Sequence, residues 1–227
     1  MSAIVEVRDL RYTYEDGTVA LKGINFNLEE GARVALLGPN GSGKTTFIHH
    51  LNGILRGTGS VIIDGLPVTG KNLREIRKRV GLVFQDSDNQ LFMPSVIEDV
   101  AFGPLACGMS AVEASERAAA SLDRVGLLSK AKKAPWQLSA GEKKRAAIAG
   151  ILATDARLLV LDEPTTFLDP PGRRSLAELL ASLPQASILV THDTSFAARL
   201  TDHAVFFEEG KIAARGPLAE IVRCYGW

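Results

Sequence analysis

The sequence predicts an α/β fold built on a parallel sheet, with β structure at its N-terminal end and a helical insertion in its middle. Three observations carry that expectation. Short β-branched or leucine-rich runs recur at residues 33–37, 80–84, 158–161 and 187–190. Helical segments separate the later runs, as in βα units that share a parallel sheet. Between about 96 and 152 the alternation stops and helical signals dominate.

Taken in order, residues 1–8 alternate apolar and polar side chains like a strand, and they lack the charged start, apolar middle and cleavage site of a secretory leader. From Val5 to Leu37 the pattern is several short strands, with turns at Glu15-Asp16-Gly17 and Glu29-Glu30-Gly31. The last of these, Arg33-Val34-Ala35-Leu36-Leu37, runs into a glycine-rich turn, as a buried parallel strand feeding a helix does. Val61-Ile62-Ile63 before Asp64-Gly65 reads as another strand. In the helical middle Ser110 is placed to cap a helix over 111–125, with Val112, Ala118, Ala119, Leu122 and Val125 at helical intervals. A further helix is expected over 173–183, between the last two runs. The expected division is one domain over 1–227, with a core of 1–85 and 155–227 and a helical subdomain of 86–154.

Composition excludes several classes. The 227 residues hold 26 Lys+Arg and 26 Asp+Glu, so a globally basic nucleic-acid binder or polybasic membrane sticker is not indicated. Two cysteines, Cys107 and Cys224, lie far apart, which excludes a disulfide framework or zinc knuckle and fits a reducing compartment. The longest apolar stretch, 146–153, is far short of the roughly 18–20 residues a membrane helix needs.

Gly38-Pro39-Asn40-Gly41-Ser42-Gly43-Lys44-Thr45-Thr46 fits G-x-x-x-x-G-K-[ST], after a strand and before a helix beginning Phe47-Ile48. Glycines let backbone N–H groups turn inward around phosphate oxygens, and the helix N-terminus adds partial positive charge. Lys44 would reach the β- and γ-phosphates, and the Thr45 hydroxyl would ligate Mg²⁺. Leu158-Leu159-Val160-Leu161 ends in Asp162-Glu163-Pro164. Strands of a parallel sheet gather their C-termini at the edge where ligands bind. Asp162 is therefore expected in the Mg²⁺ shell and Glu163 beside the attacking water. Together the two motifs describe a P-loop NTPase.

The branch rests on other residues. No Asn-Lys-x-Asp segment of guanine-specific proteins is present. Leu138-Ser139-Ala140-Gly141-Glu142 opens a basic, then alanine-rich helix, and Ser139 with Glu142 forms an S-x-x-E capping box. This segment resembles the signature motif of ATP-binding cassette (ABC) ATPases, and the resemblance extends over essentially the whole chain. It implies an ATPase using ATP and Mg²⁺. It makes Gln85 the glutamine-loop residue near Mg²⁺ and the attacking water, Leu168-Asp169 the loop along a dimer interface, and His192 the γ-phosphate contact. Tyr14 resembles the adenine-stacking aromatic; Tyr12 competes, since period-two alternation puts both on one strand face. Ser139, Gly141 and Glu142 would face the nucleotide of a second ATPase subunit, in a head-to-tail homodimer.

Three features depart from the family pattern: Ala140 where glycine is usual, which requires a backbone without positive φ; Glu142 in place of glutamine; and Phe167 where a small residue is usual. The sequence also ends at Trp227, so an appended C-terminal domain is not expected.

The segment Phe84-Gln85-Asp86-Ser87-Asp88-Asn89-Gln90-Leu91-Phe92 is similar to that of energy-coupling-factor (ECF) importers. The similarity implies a peripheral subunit at the cytoplasmic face of the cell membrane, with an integral-membrane scaffold, substrate-binding components and no nucleic acid as partners. Asp86 and Asp88 would meet the scaffold's arginines. Residues 99–105 and 141–145 look more like the cobalt/nickel subgroup than the vitamin subgroup. A vitamin-type or conventional importer remains an alternative, and so does a non-transport ATPase acting on nucleic acid or ribosomes.

Overall fold

The computed structural model describes residues 2–227. Two long strands open the chain, β1 (Ala3–Thr13) and β2 (Val19–Glu29), where several short strands were expected. Register shifts interrupt their pairing at several points. Such bulges let an 11-residue strand bend without ending, so the breaks in alternation that look like strand ends are irregularities within one ladder. With β4 (Thr58–Ile63) and the two-residue β5 (Leu66–Pro67) they form an antiparallel sheet ordered β2-β1-β4-β5.

The second sheet has six strands in the order β10-β9-β3-β8-β7-β6. Its strands are β3 (Arg33–Leu37), β6 (Val80–Val83), β7 (Leu158–Asp162), β8 (Ala186–Val190), β9 (His203–Glu208) and β10 (Lys211–Pro217). All pairings are parallel except the β9–β10 edge. Alternate residues of each parallel strand enter two different cores. Val34, Leu36, Val160 and Ile188 face the antiparallel sheet, together with Phe47, Ile48 and Leu51 of α1 (Lys44–Leu51). Ala35, Leu37, Leu159 and Leu189 face the helices.

That helical layer comprises α3 (Val96–Ala106), α4 (Ala111–Arg124) and α5 (Ala140–Ala153), with α6 (Pro170–Ser182) following β7. Shorter helices are α2 (Leu73–Arg79), α7 (Thr194–Ala197) and α8 (Leu218–Tyr225). Ser110 caps α4 as expected, in a reciprocal box with Glu113. Val112, expected on the inner face, is 68% exposed; Ala114, Ala118 and Leu122 carry the contact instead. Val112 lies six residues from Ala118, about 120° around the helix, and so points away from the stripe of Ala114, Ala118 and Leu122.

An ionic cluster ties the two sheets together. Asp64, in the turn after β4, accepts from Arg79 at 3.0 Å and from Arg157 at 2.7 Å. No helix of the described residues is long and apolar enough to cross a membrane.

Candidate active site

Four parallel strands deliver their C-terminal ends to one edge of the sheet. β3 leads into the glycine loop, β6 into Gln85, β7 ends at Asp162, and β8 leads to His192. Their side chains and the loop surround a cavity of about 550 Å³, lined by Tyr14, Asn40, Gly41, Gly43, Lys44, Thr45, Thr46, Gln85, Asp162, Glu163 and His192.

The glycine loop is fixed by close backbone approach. Gly38 has φ 132°, and a Cβ there would come within 2.1 Å of the Phe207 carbonyl oxygen. Gly43 caps α1 with φ 102° and would place a Cβ 2.7 Å from the Ala20 carbonyl oxygen. Only glycine satisfies both the sterics and the left-handed backbone. Ser42 donates its N–H to Pro39 O and accepts from Gly210 N–H, so it holds the loop rather than lining the cavity.

Inside the loop the Lys44 ammonium donates to the carbonyls of Gly38 (2.6 Å) and Pro39 (2.9 Å). Burial pushes its pKa down, and the carboxylates of Glu163 and Asp162 oppose that shift. The Thr45 hydroxyl donates to Asp162 Oδ2 at 3.2 Å. Asp162 is pushed up to about 6 by burial; the Glu163 charge adds to the effect, while Thr45, Lys44 and Lys144 work against it. A carboxylate and a hydroxyl therefore meet at the floor of the cavity, the oxygen set a small hard cation takes alongside phosphate oxygens. Among the described residues no group of three or more His, Cys, Asp or Glu is arranged to hold a metal alone.

Glu163 adopts φ 44°, fixed by its N–H donating to Val190 O at 2.9 Å, and its carboxylate pairs with the His192 ring at 2.8 Å. Of the two tyrosines weighed in the sequence, Tyr14 lines the cavity, with its hydroxyl 2.8 Å from Thr46 Oγ1. The two do not share a strand face, because β1 ends at Thr13 and Tyr14 begins the turn. Tyr12 instead packs on the inner core, edge-on to His50.

The remaining candidates lie elsewhere. Ser139, Gly141 and Asp169 line a separate cavity of about 260 Å³, together with Phe167. Ser139 and Glu142 form the reciprocal capping box of α5, and Glu142 also pairs with Lys130. Glu142 is thus held within its own chain rather than directed toward a ligand. Asp169 caps α6 by accepting from Gly172 N–H at 2.9 Å. Ala140 opens α5 with ordinary helical backbone, so its methyl carries no left-handed strain. Phe167 is 77% exposed at φ 66°.

Asp86 and Asp88, expected to meet a partner's arginines, are partly engaged within the chain. Asp86 caps the turn by accepting from Asp88 N–H, and the Asp88 carboxylate pairs with Lys143. Sequence reasoning missed Thr18, Val19 and Ala20, which wall the cavity from the antiparallel sheet. It also missed Lys144, whose signal was available: helical spacing sets it in line with the buried Ile148 and Ile151.

A family model described as ABC transporter matches residues 21–166. An "Energy-coupling factor transporter ATP-binding protein EcfA" of Methanothermobacter thermautotrophicus is 47% identical over 226 residues, covering 97% of this chain and 73% of that protein. Among solved structures, cbiO1 from Clostridium perfringens, described as part of the ABC transporter complex cbiONQ, superposes with a TM-score of 0.87 at 38% identity, covering 98% of this chain and 92% of that one. A dimeric post-hydrolysis state of the ATP-binding cassette MJ0796 with ADP and Pi superposes with a TM-score of 0.84 at 30% identity, covering 94% and 98%. This chain belongs to the ABC transporter family, among the ATPases of energy-coupling-factor type.

Proposed function

We propose that this chain is the ATP-hydrolysing subunit of an importer, peripheral to the cytoplasmic face of the membrane, and that a head-to-tail pair of copies drives a membrane scaffold. The convergence of Lys44, Thr45, Gln85, Asp162, Glu163 and His192 on one cavity carries this reading. Tyr14 offers its ring to adenine. The glycine loop surrounds the phosphates, for which Lys44 exchanges its two backbone carbonyls. Thr45, Asp162 and Gln85 would hold Mg²⁺, which when bound neutralises phosphate charge. Glu163 takes the proton of the attacking water, and His192 orients that carboxylate and the γ-phosphate.

Ser139 and Gly141 serve the partner copy's ATP. The Ser139 oxygen caps α5 as an acceptor, which leaves its hydroxyl proton to donate, and the first N–H groups of a helix have no intrahelical partner. Asp169 borders the same interface.

The scaffold binds the cleft beside α3, lined by Leu91, Phe92, Asp99, Phe102 and Gly150. Phe92 is 64% exposed, and Asp99 Oδ2 is buried without a hydrogen-bond partner among the described residues. A cleft of mixed polar and apolar lining, with an exposed aromatic ring beside one unpaired carboxylate oxygen, suits a helix end carrying both an apolar and a basic side chain. The resemblance at 99–105 and 141–145 favours cobalt or nickel ions as cargo. Steady-state ATP hydrolysis by the purified chain, with Lys44→Ala and Glu163→Gln as controls, tests the enzymatic reading. Metal-ion uptake by cells expressing the chain with its scaffold tests the cargo.

A further inference from the structure

Lys144 lies five residues beyond the cap of α5 and is 2% exposed. Its ammonium donates to two consecutive carbonyls just past β6, Phe84 O at 3.1 Å and Gln85 O at 2.8 Å. Burial pushes its pKa down to about 8, although Asp86 and Asp162 oppose that shift. An apolar side chain of similar length would fill this space without desolvating a charge, but it would leave both carbonyls without this donor, so the lysine serves the main chain of the loop rather than packing. The neighbouring Lys143 pairs with Asp88 in the same loop, giving the helix a second hold on it. Gln85 lines the nucleotide cavity on one side and, with Ala140, Lys144 and Phe167, a cavity of about 310 Å³ on the other.

We infer that Lys144 is a positioning residue for hydrolysis: it clamps the main chain at Phe84 and Gln85 to α5, and thereby sets where the Gln85 amide stands against Asp162 and Glu163. A loop held by one turn of hydrogen bonds would let that amide wander. Misplacement by about 1 Å costs on the order of 100-fold in rate, and a buried cation on two carbonyls removes that freedom. The clamp also keeps the loop in register with the Ser139 end of the same helix.

The inference rests on the reading of Gln85 as a group beside the reacting phosphate, and a double-mutant cycle separates the two. The full chain carries Lys144→Met, Gln85→Ala or both, and kcat, ATP affinity without divalent cation, and thermal midpoint are measured. Lys144→Met is expected to lower kcat about tenfold or more while ATP affinity stays within about threefold and the midpoint falls by only a few degrees, well below the assay-to-melting gap. Because Lys144 acts through Gln85, the double variant is expected to be no slower than the slower single variant. A slow Gln85→Ala combined with a normal Lys144→Met, or with losses that multiply, overturns the clamp alone. Gln85→Ala at wild-type turnover overturns the reading of Gln85 and the clamp with it. If Lys144→Met does not fold, Lys144→Gln keeps one amide donor for these carbonyls. It is then expected to retain part of the turnover and to show the same non-multiplying loss, and full multiplication would again overturn the clamp.

Discussion

His192 Nδ1 lies 2.8 Å from Glu163 Oε2, and the same oxygen accepts from the His192 main-chain N–H at 3.4 Å. The Glu163 backbone is locked to β8 at Val190, so residues from two neighbouring strands form one unit at the mouth of the cavity. In the proposed mechanism the carboxylate of that unit is the base and the imidazole its orienter. Glu163→Gln keeps an oxygen for His192 but removes the base, so turnover is expected to fall by about 10²–10⁴ with ATP affinity nearly unchanged. His192→Ala should cost less. Phosphate release and nucleotide binding measured on both variants test the order; near-normal turnover of Glu163→Gln would make His192 the principal group.

The same variant reports on assembly. If Ser139 and Gly141 complete the site of a second copy, Glu163→Gln with Mg²⁺ and ATP should hold the closed pair, because hydrolysis no longer releases it. Light scattering should then show a dimer with ATP and a monomer with ADP. A variant that remains monomeric with ATP contradicts the head-to-tail arrangement.

Much of this site was legible in the sequence because its motifs are local. A glycine loop, a strand ending in Asp162-Glu163 and a capping box each carry their chemistry within a few residues. The parallel strands were legible for the same reason, as short apolar runs with helices between the later ones. What stayed hidden depends on distant pairing. The hairpin residues Thr18, Val19 and Ala20 reach the cavity only because the antiparallel sheet folds over α1, and no local pattern encodes that approach. Asp86 and Asp88 read as a free acidic pair because their lysine partner lies 55 positions later for Asp88. Long β1 and β2 were broken up by bulges, whose extra residues disrupt the period-two pattern.

Asp162 makes stability depend on pH. Burial holds its carboxyl at about 6 in the folded chain, above the ordinary 3.8 of an aspartate, so between these values the folded state holds the proton more tightly than the unfolded one. Stability is therefore expected to fall as pH rises through that window, by an amount on the order of 3 kcal/mol at 1.36 kcal/mol per pH unit, and to remain lower above it. Asp162→Asn removes the charge but keeps an acceptor for Thr45. Without nucleotide it should be more stable than the parent at pH 7.5 and similar near pH 4, while losing Mg²⁺-dependent hydrolysis. Urea midpoints at the two pH values check the sign; equal midpoints at pH 7.5 would mean that the carboxylate is solvated.

Phe167 tests how strain is carried at the surface. An exposed aromatic at φ 66° buries little and occupies a region that disfavours L side chains. Phe167→Gly should therefore raise unfolding stability by about 0.5–1 kcal/mol, the relief of roughly 1–2 kcal/mol of strain less the entropy of an added glycine. A loss of stability would show that the ring makes contacts worth more than its strain.

The proposed scaffold cleft separates an electrostatic grip from an apolar one. Asp88 is already paired with Lys143, and Asp86 is spent on the turn, so Asp86→Asn with Asp88→Asn should weaken assembly only modestly, with the loss confined to low salt. Phe92 packs edge-on to Phe102 at 5.2 Å between ring centroids, yet leaves most of its surface in solvent. Burying such a ring in a complex is worth about 1.5–3 kcal/mol, so Phe92→Ala should weaken co-purification with the scaffold by about 10–100-fold at any ionic strength. Asp99→Asn probes the buried oxygen: if a basic side chain seats against it, the neutral amide should weaken the complex without changing ATP hydrolysis by the isolated subunit. A complex indifferent to Phe92→Ala and Asp99→Asn, but dissociated by the double change at Asp86 and Asp88, would move the docking site out of the cleft and onto the turn.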